Sequence, residues 1–301
     1  MKIIVAGGSG LIGQRLSAEL AGRGHELWVL TRSPGEASLP AGVRAQGWDG
    51  KTVQGWGELV DGAGAVINLA GVNIGARPWT NERKRLILSS RENAGRALVE
   101  AIRQASDRPN VVLQIAGIGI YGNCGDLPLD ENAPRGSGYL ADVGAAWEAA
   151  IQPVTELGPR LAILRTSPVL APKGGILPPF LLQNRLFAGG PLGSGRQWIS
   201  WIHLNDLVRA FCFLLDQEDV RGIFNVSAPD PKTNADFGRA VSRVMRRPFW
   251  FPTPAFALKA VLGEMSTLVL EGQRIVPKRL LEMGFHFEYD TLQKALQDLI
   301  Q

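Results

Sequence analysis

The first chemistry legible in the chain is anion binding by backbone. Lys2-Ile-Ile-Val-Ala-Gly-Gly-Ser-Gly-Leu-Ile-Gly13 passes from an apolar β-branched run into a helical pattern, with glycines at positions 7, 10 and 13. This spacing suits a dinucleotide. Gly7 permits a tight turn, Gly10 lets the backbone approach a pyrophosphate, and Gly13 allows close helix–strand packing. Ser9, Gly10, Leu11 and Ile12 then surround a helix N-terminus, where free N–H groups and the helix dipole favour phosphate. At the end of the second apolar run, Leu27-Trp-Val-Leu-Thr31-Arg32-Ser33 has Thr31 where an NAD-specific protein would place an acid for the ribose 2′-OH. The hydroxyls of Thr31 and Ser33 and the guanidinium of Arg32 suit a 2′-phosphate, so NADP (NADPH) is the expected cofactor. Asp49 has two readings, an acceptor for the adenine amine or an exposed turn residue.

Other reactive residue types are sparse. The two cysteines, Cys124 and Cys212, support neither a disulfide framework nor a cysteine-rich metal site. Three histidines without ligand-like spacing point to no metal. His25, between Gly24 and an apolar run, reads as structural. Lone Cys124 has no local base to activate it.

The elements that must position these groups alternate. Short apolar runs at 2–6, 26–30, 43–47, 65–69, 111–116 and 160–165 read as strands. Leu11–Arg23, Thr80–Ala105 and Ala141–Leu157 have helical spacing, with Thr80 as an N-cap. This is the pattern of a Rossmann-type α/β fold, a doubly wound parallel sheet with helices on both faces. After residue 170, prolines and glycines punctuate the chain, and helical patterns return at 205–216, 234–246, 254–262 and 289–300. The expected organisation is a nucleotide-binding domain over 1–170, with later segments returning to it, and a smaller substrate lobe over 171–301.

Composition narrows the function. With 45% apolar and 20% charged residues, the chain can bury a sizeable core. Its apolar runs are far shorter than the roughly 20 residues of a membrane span, and the N-terminus lacks the long apolar core of a secretory signal. No membrane partner is expected, and cytoplasmic residence follows. The net charge of +4 is spread among acids, so no nucleic-acid partner is expected. Arg83, Lys84, Arg85 and Arg91 form the densest basic run, most of it read as a solvated helix face. A homodimer is compatible with these features.

Further segments carry a family resemblance. Asn68-Leu69-Ala70-Gly71, Tyr121-Gly122, Leu164-Arg165-Thr166 and Trp201-Ile-His203-Leu-Asn-Asp206 together resemble the extended short-chain dehydrogenase/reductase superfamily of NAD-dependent epimerases and dehydratases. Ser90-Arg91, Trp147-Glu148, Gly189–Gln197 and Glu271–Arg279 are similar to its atypical YfcH-like epimerase branch. The resemblance implies that Leu69, Ala70, Gly71 and Arg165 adjoin the cofactor. It also implies that Arg196, His203 and Arg274 face the substrate, with Tyr139 and Tyr121 as candidates for proton transfer.

The same resemblance exposes a gap. Its members use a Ser or Thr before the Tyr-Gly pair and a Tyr followed four residues later by Lys, which lowers the phenol pKa. Here no hydroxyl residue stands between Leu113 and Tyr121, and Val143 follows Tyr139 at that spacing; shifting to Leu140 and Gly144 fares no better. Tyr121, Asp142, Lys173 or His203 would have to substitute. Two functions follow: an NADP(H)-dependent oxidoreductase or epimerase for a small sugar-like or anionic substrate, or a non-catalytic NADP(H)-binding sensor or scaffold. His203 and Asp206 also fit a simpler role at a helix start.

Overall fold

The computed structural model describes residues 1–300; Gln301, at the end of the expected C-terminal lobe, lies outside them. Strands β1 (Lys2–Ala6), β2 (Glu26–Thr31), β3 (Val43–Gly47), β4 (Ala65–Asn68), β5 (Val111–Gly117), β6 (Arg160–Thr166) and β7 (Gly222–Val226) form one sheet. Its order is β7-β6-β5-β4-β1-β2-β3, and every pairing is parallel. The order reverses between β1 and β4, which opens a crevice at the carboxyl ends of those strands.

The principal helices are α1 (Leu11–Gly22), α2 (Asn81–Gln104), α3 (Tyr139–Ile151), α4 (Leu177–Arg185), α5 (Leu204–Asp216), α6 (Asn234–Val244), α7 (Ala255–Leu262) and α8 (Leu292–Ile300). On one face of the sheet, Leu16 and Leu20 of α1 and Leu207 and Phe211 of α5 bury against Ile3, Val5 and Val29. On the other, Ala94, Leu98 and Ile102 of α2 cover Ile4, Val66 and Val112. Because both faces are covered, the inner strands read as continuous apolar runs. A separate cluster joins Leu177 and Leu181 of α4, Phe237 and Val241 of α6, and Leu292, Ala295 and Leu296 of α8.

The six expected strands are present, and the structure adds a seventh. Gly222–Val226 returns to the sheet as β7, beside β6. Helix α4 also lies in a stretch read as loop. Pro178 and Pro179 fall in its first turn, where a missing N–H costs nothing. Helix α3 ends at Ile151 and gives way to a 3₁₀ segment, Gln152–Leu157, with Pro153 at its start. Thr80 does cap α2, accepting from the Arg83 N–H at 3.1 Å.

Candidate functional site

The glycine turn at the end of β1 is shaped by contacts that no side chain would tolerate. Gly7 has φ +75°, and a Cβ there would lie 2.9 Å from the Ala70 Cα and N. The chain after β4 thereby closes on the turn, with Leu69 N–H donating to Ala6 O at 2.8 Å. A Cβ on Gly13 would come 2.4 Å from Gly8 Cα, so α1 packs directly on the turn. Gly10 differs, since a Cβ there would meet only the Gly7 carbonyl at 3.6 Å. No side chain caps α1, which leaves the dipole and donors of its first turn facing the crevice.

These pieces border a groove of about 610 Å³. Gly7, Ser9 and Gly10 line one wall, Thr31, Arg32 and Ser33 extend it from β2, Asp49 follows β3, and Leu69, Ala70 and Gly71 follow β4. Thr31 is nearly buried, with its hydroxyl 3.2 Å from that of Ser9. Arg32 is exposed at the rim. Leu11, Ile12 and Gly13 form the first turn of α1 beside the groove rather than its lining. The groove also gathers Gln14, Ser38, Trp48, Lys51 and Asn93, which sequence spacing did not single out, Ser90 of the family-like Ser90-Arg91 pair, and a second acid, Glu36. Lys51 stands two residues after Asp49, a proximity that would have been its only signal.

Asp49 is engaged in its own turn. It accepts from the backbone N–H groups of Lys51 and Thr52 at 2.8 and 2.9 Å and from the Thr52 hydroxyl at 3.1 Å. The N–H donors of Thr52 and Lys51 hold its carboxyl below the ordinary range. Its position at the groove and its role as a turn residue therefore coexist.

The two tyrosines occupy different settings. Tyr121 is fully buried; its hydroxyl donates to Asn225 Oδ1 at 2.7 Å and accepts from Arg165 at 3.0 Å. Arg165 is itself held by both oxygens of Glu148 at 2.7 and 2.9 Å, and neither residue lines the groove. Burial pushes the Tyr121 phenol up, against the opposing pull of Arg165. Tyr139 is half-buried at the start of α3, edge-on to Trp79 at 5.0 Å. Its hydroxyl donates to the Lys84 carbonyl at 2.9 Å, and desolvation raises its pKa despite the nearby Arg91 and Arg83. Arg91, expected on a solvated face, is 7% exposed and lies 4.4 Å over the Trp147 ring. Burial lowers its pKa to about 10.

Packing limits a lysine in α3 more than a hydroxyl residue at the end of β5. Val143 is buried in the core. A Cβ on Gly144 would lie 2.9 Å from Ile120 Cβ, and one on Gly119 would lie 3.1 Å from Leu140 Cβ. Helix α3 thus meets the Ile118–Tyr121 turn at a distance that a lysine at 144 would break. Gly117 alone has room, with nothing within 4 Å of a built Cβ.

The three residues expected to face a substrate have different settings. Arg196 is exposed, Arg274 stacks over Trp198 at 4.7 Å, and His203 is buried at the start of α5. His203 Nδ1 accepts from the Asn205 N–H at 3.1 Å, and its ring stacks on Tyr289 at 3.6 Å. Asp206 receives the N–H groups of Glu288 and Tyr289 at 3.0 and 2.8 Å. His203 and Asp206 therefore anchor the C-terminal segment, and neither lines the groove. Lys173 is exposed, and Gly174 beside it approaches Leu11, with a built Cβ 3.1 Å from Leu11 Cδ2. Among the described residues, no cluster of three or more His, Cys, Asp or Glu could hold a metal, and no helix is long and apolar enough to cross a membrane.

Comparison with known proteins agrees with this architecture. Residues 3–227 match the NAD dependent epimerase/dehydratase family, and residues 253–299 match a domain of unknown function, DUF1731. The chain is 38% identical to the Arabidopsis thaliana chloroplastic epimerase family protein SDR39U1 homolog, over all of this chain and 87% of that protein. It is 36% identical to the Bacillus subtilis epimerase family protein YfhF, over all of this chain and 98% of that one. The crystal structure of human epimerase family protein SDR39U1 (isoform 2) with NADPH superposes with a TM-score of 0.89 at 31% identity, covering 99% of each chain. A Thermus thermophilus UDP-glucose 4-epimerase complex with NAD shares the fold at a TM-score of 0.79 and 20% identity, with 100% of this chain and 98% of that one covered. By the family match and these relatives, the chain belongs to the NAD-dependent epimerase/dehydratase family.

Proposed function

We propose that this chain binds NADP(H) in the groove between β1, β2 and β4 and acts as an NADP(H)-dependent oxidoreductase or epimerase on a small sugar-like or anionic substrate. The observation that carries the cofactor reading is the rim formed by Thr31, Arg32 and Ser33, with Lys51 lining the same groove. Two cations and several hydroxyls there suit a 2′-phosphate, and the uncapped start of α1 suits the diphosphate. Gly10 supports the fit independently, because its missing side chain leaves the groove open where a Cβ meets no other wall. The human relative with NADPH supports the same choice. When bound, the nicotinamide supplies hydride transfer.

The chain's own residues would supply positioning and a proton. Tyr139 is the proton donor in this reading, since its phenol is protonated at neutral pH, although desolvation raises its pKa and makes it a weaker acid than a lysine-assisted tyrosine. Tyr121 and Arg165 serve as a buried strut. Arg196 and Arg274 are the groups for an anionic substrate. We assign the nucleotide-binding unit to residues 1–170 with β7 and α5, and the substrate lobe to the remaining C-terminal residues. Arg32→Ala tests the cofactor assignment: NADPH affinity should fall by about 1 to 3 kcal/mol through loss of a charged contact, while NADH affinity stays unchanged. Equal loss for both cofactors would remove the 2′-phosphate from the account.

A second reading, a non-catalytic NADP(H)-binding sensor or scaffold, is favoured by two observations. The Tyr139 hydroxyl is already donated to the Lys84 carbonyl, and the position four residues on, where an assisting lysine would stand, holds the buried Val143.

A further inference from the structure

Leu157–Asn205 and Phe237–Gly263 are the two longest stretches of this chain without Asp or Glu. The fold brings them together. Asn184 at the end of α4 accepts from the Ser242 hydroxyl of α6 at 2.6 Å, and the Trp250 indole N–H donates to the Phe187 carbonyl at 2.9 Å. Trp250 and Phe251 both donate backbone N–H groups to the Gly189 carbonyl. This pinning displays large apolar side chains outward: Leu186 and Trp250 are each 68% exposed, and Leu182, Phe251 and Phe187 are each more than half exposed. Phe187 takes a left-handed backbone, φ +57°, an uncommon conformation for an aromatic residue. None of these residues lines the nucleotide groove.

Charge frames the patch. Arg185, Arg243, Arg246 and Arg247 are all exposed around it, and no carboxylate among the described residues lies within ion-pair distance of any of them. Arg247 stacks over the Phe187 ring at 4.5 Å, so cation and aromatic share one surface. Uncompensated guanidiniums beside exposed Trp and Phe complement a bilayer interface with anionic headgroups. Indole and phenyl rings partition to its headgroup level, while arginines meet the phosphates. We propose that this face of the C-terminal lobe docks peripherally on anionic phospholipid membranes.

The full-length protein would be mixed with vesicles of phosphatidylcholine alone or of phosphatidylcholine with phosphatidylglycerol and separated by flotation. Binding is expected only to the anionic vesicles, weakening with added salt as the charges are screened. Each basic residue near such a surface contributes roughly fivefold in partitioning, so Arg243→Glu with Arg246→Glu should lower it at least about tenfold. Those two side chains are exposed, and thermal unfolding should be unchanged. Trp250→Ser with Phe251→Ser should also lower binding; if that pair does not fold, the arginine pair decides the matter together with a blue shift of tryptophan emission on vesicle addition. No flotation, or flotation indifferent to the arginine pair, overturns the proposal. So does a dimer that dissociates on Trp250→Ser, which would make the patch an interface between two copies. Retention on duplex DNA that depends on the arginines but not the aromatics would likewise overturn it, in favour of a general polyanion site.

Discussion

At the residue scale, the account turns on glycines that differ in purpose. Gly7 and Gly13 are required by the protein itself, because built Cβ atoms would collide with Ala70 and Gly8. Gly10 is free of such collision, so its absent side chain serves whatever lies in the groove. Gly10→Val should therefore fold with little change in melting temperature yet lose nucleotide binding, measured by calorimetry beside a thermal scan; retained affinity would reduce the turn to a structural one. The glycine spacing and Thr31-Arg32-Ser33 were legible in sequence because strand, turn and helix are contiguous there. Lys51 and Ser38 were not, since only the folded loops bring them to the same groove. Arg165 and Tyr121 show the converse: family position implied proximity to ligand, whereas their polar atoms are engaged by Glu148 and Asn225.

At the element scale, the parallel strands announced themselves as apolar runs, and the helices as amphipathic ones. Strand β7 escaped because Gly222–Val226 is a short run at the end of the sheet, far along the chain from its partner β6. Helix α4 escaped because Pro178 and Pro179 read as breakers unless they are known to sit in a first turn. The C-terminal segment holds a further consequence, through His203. Burial lowers its pKa below the ordinary 6.5, outweighing Asp298, Asp206 and Glu288, all of which raise it. The folded state therefore prefers the neutral ring, so this contribution is full above the unfolded pKa and is lost as pH falls through the lower folded value. Melting temperature should drop on acidification below about pH 6.5, more steeply in the wild type than in His203→Gln. Parallel curves would assign the dependence to other groups.

In the assembled fold, the sheet supplies the nucleotide groove while α3 carries the buried Val143 where the superfamily's usual lysine would stand. General acid–base assistance ordinarily contributes about 10² to 10⁴ in rate. Reduction or epimerisation of common nucleotide sugars with NADPH should accordingly run far below the enzymatic median of about 10 s⁻¹, followed by cofactor absorbance and product analysis. Turnover at that median would show that other residues complete the site. Cofactor choice is tested by titration calorimetry of the purified protein with NADPH and with NADH. Contact of the 2′-phosphate with Arg32 predicts NADPH binding tighter by about tenfold or more. Equal or tighter binding of NADH would contradict it.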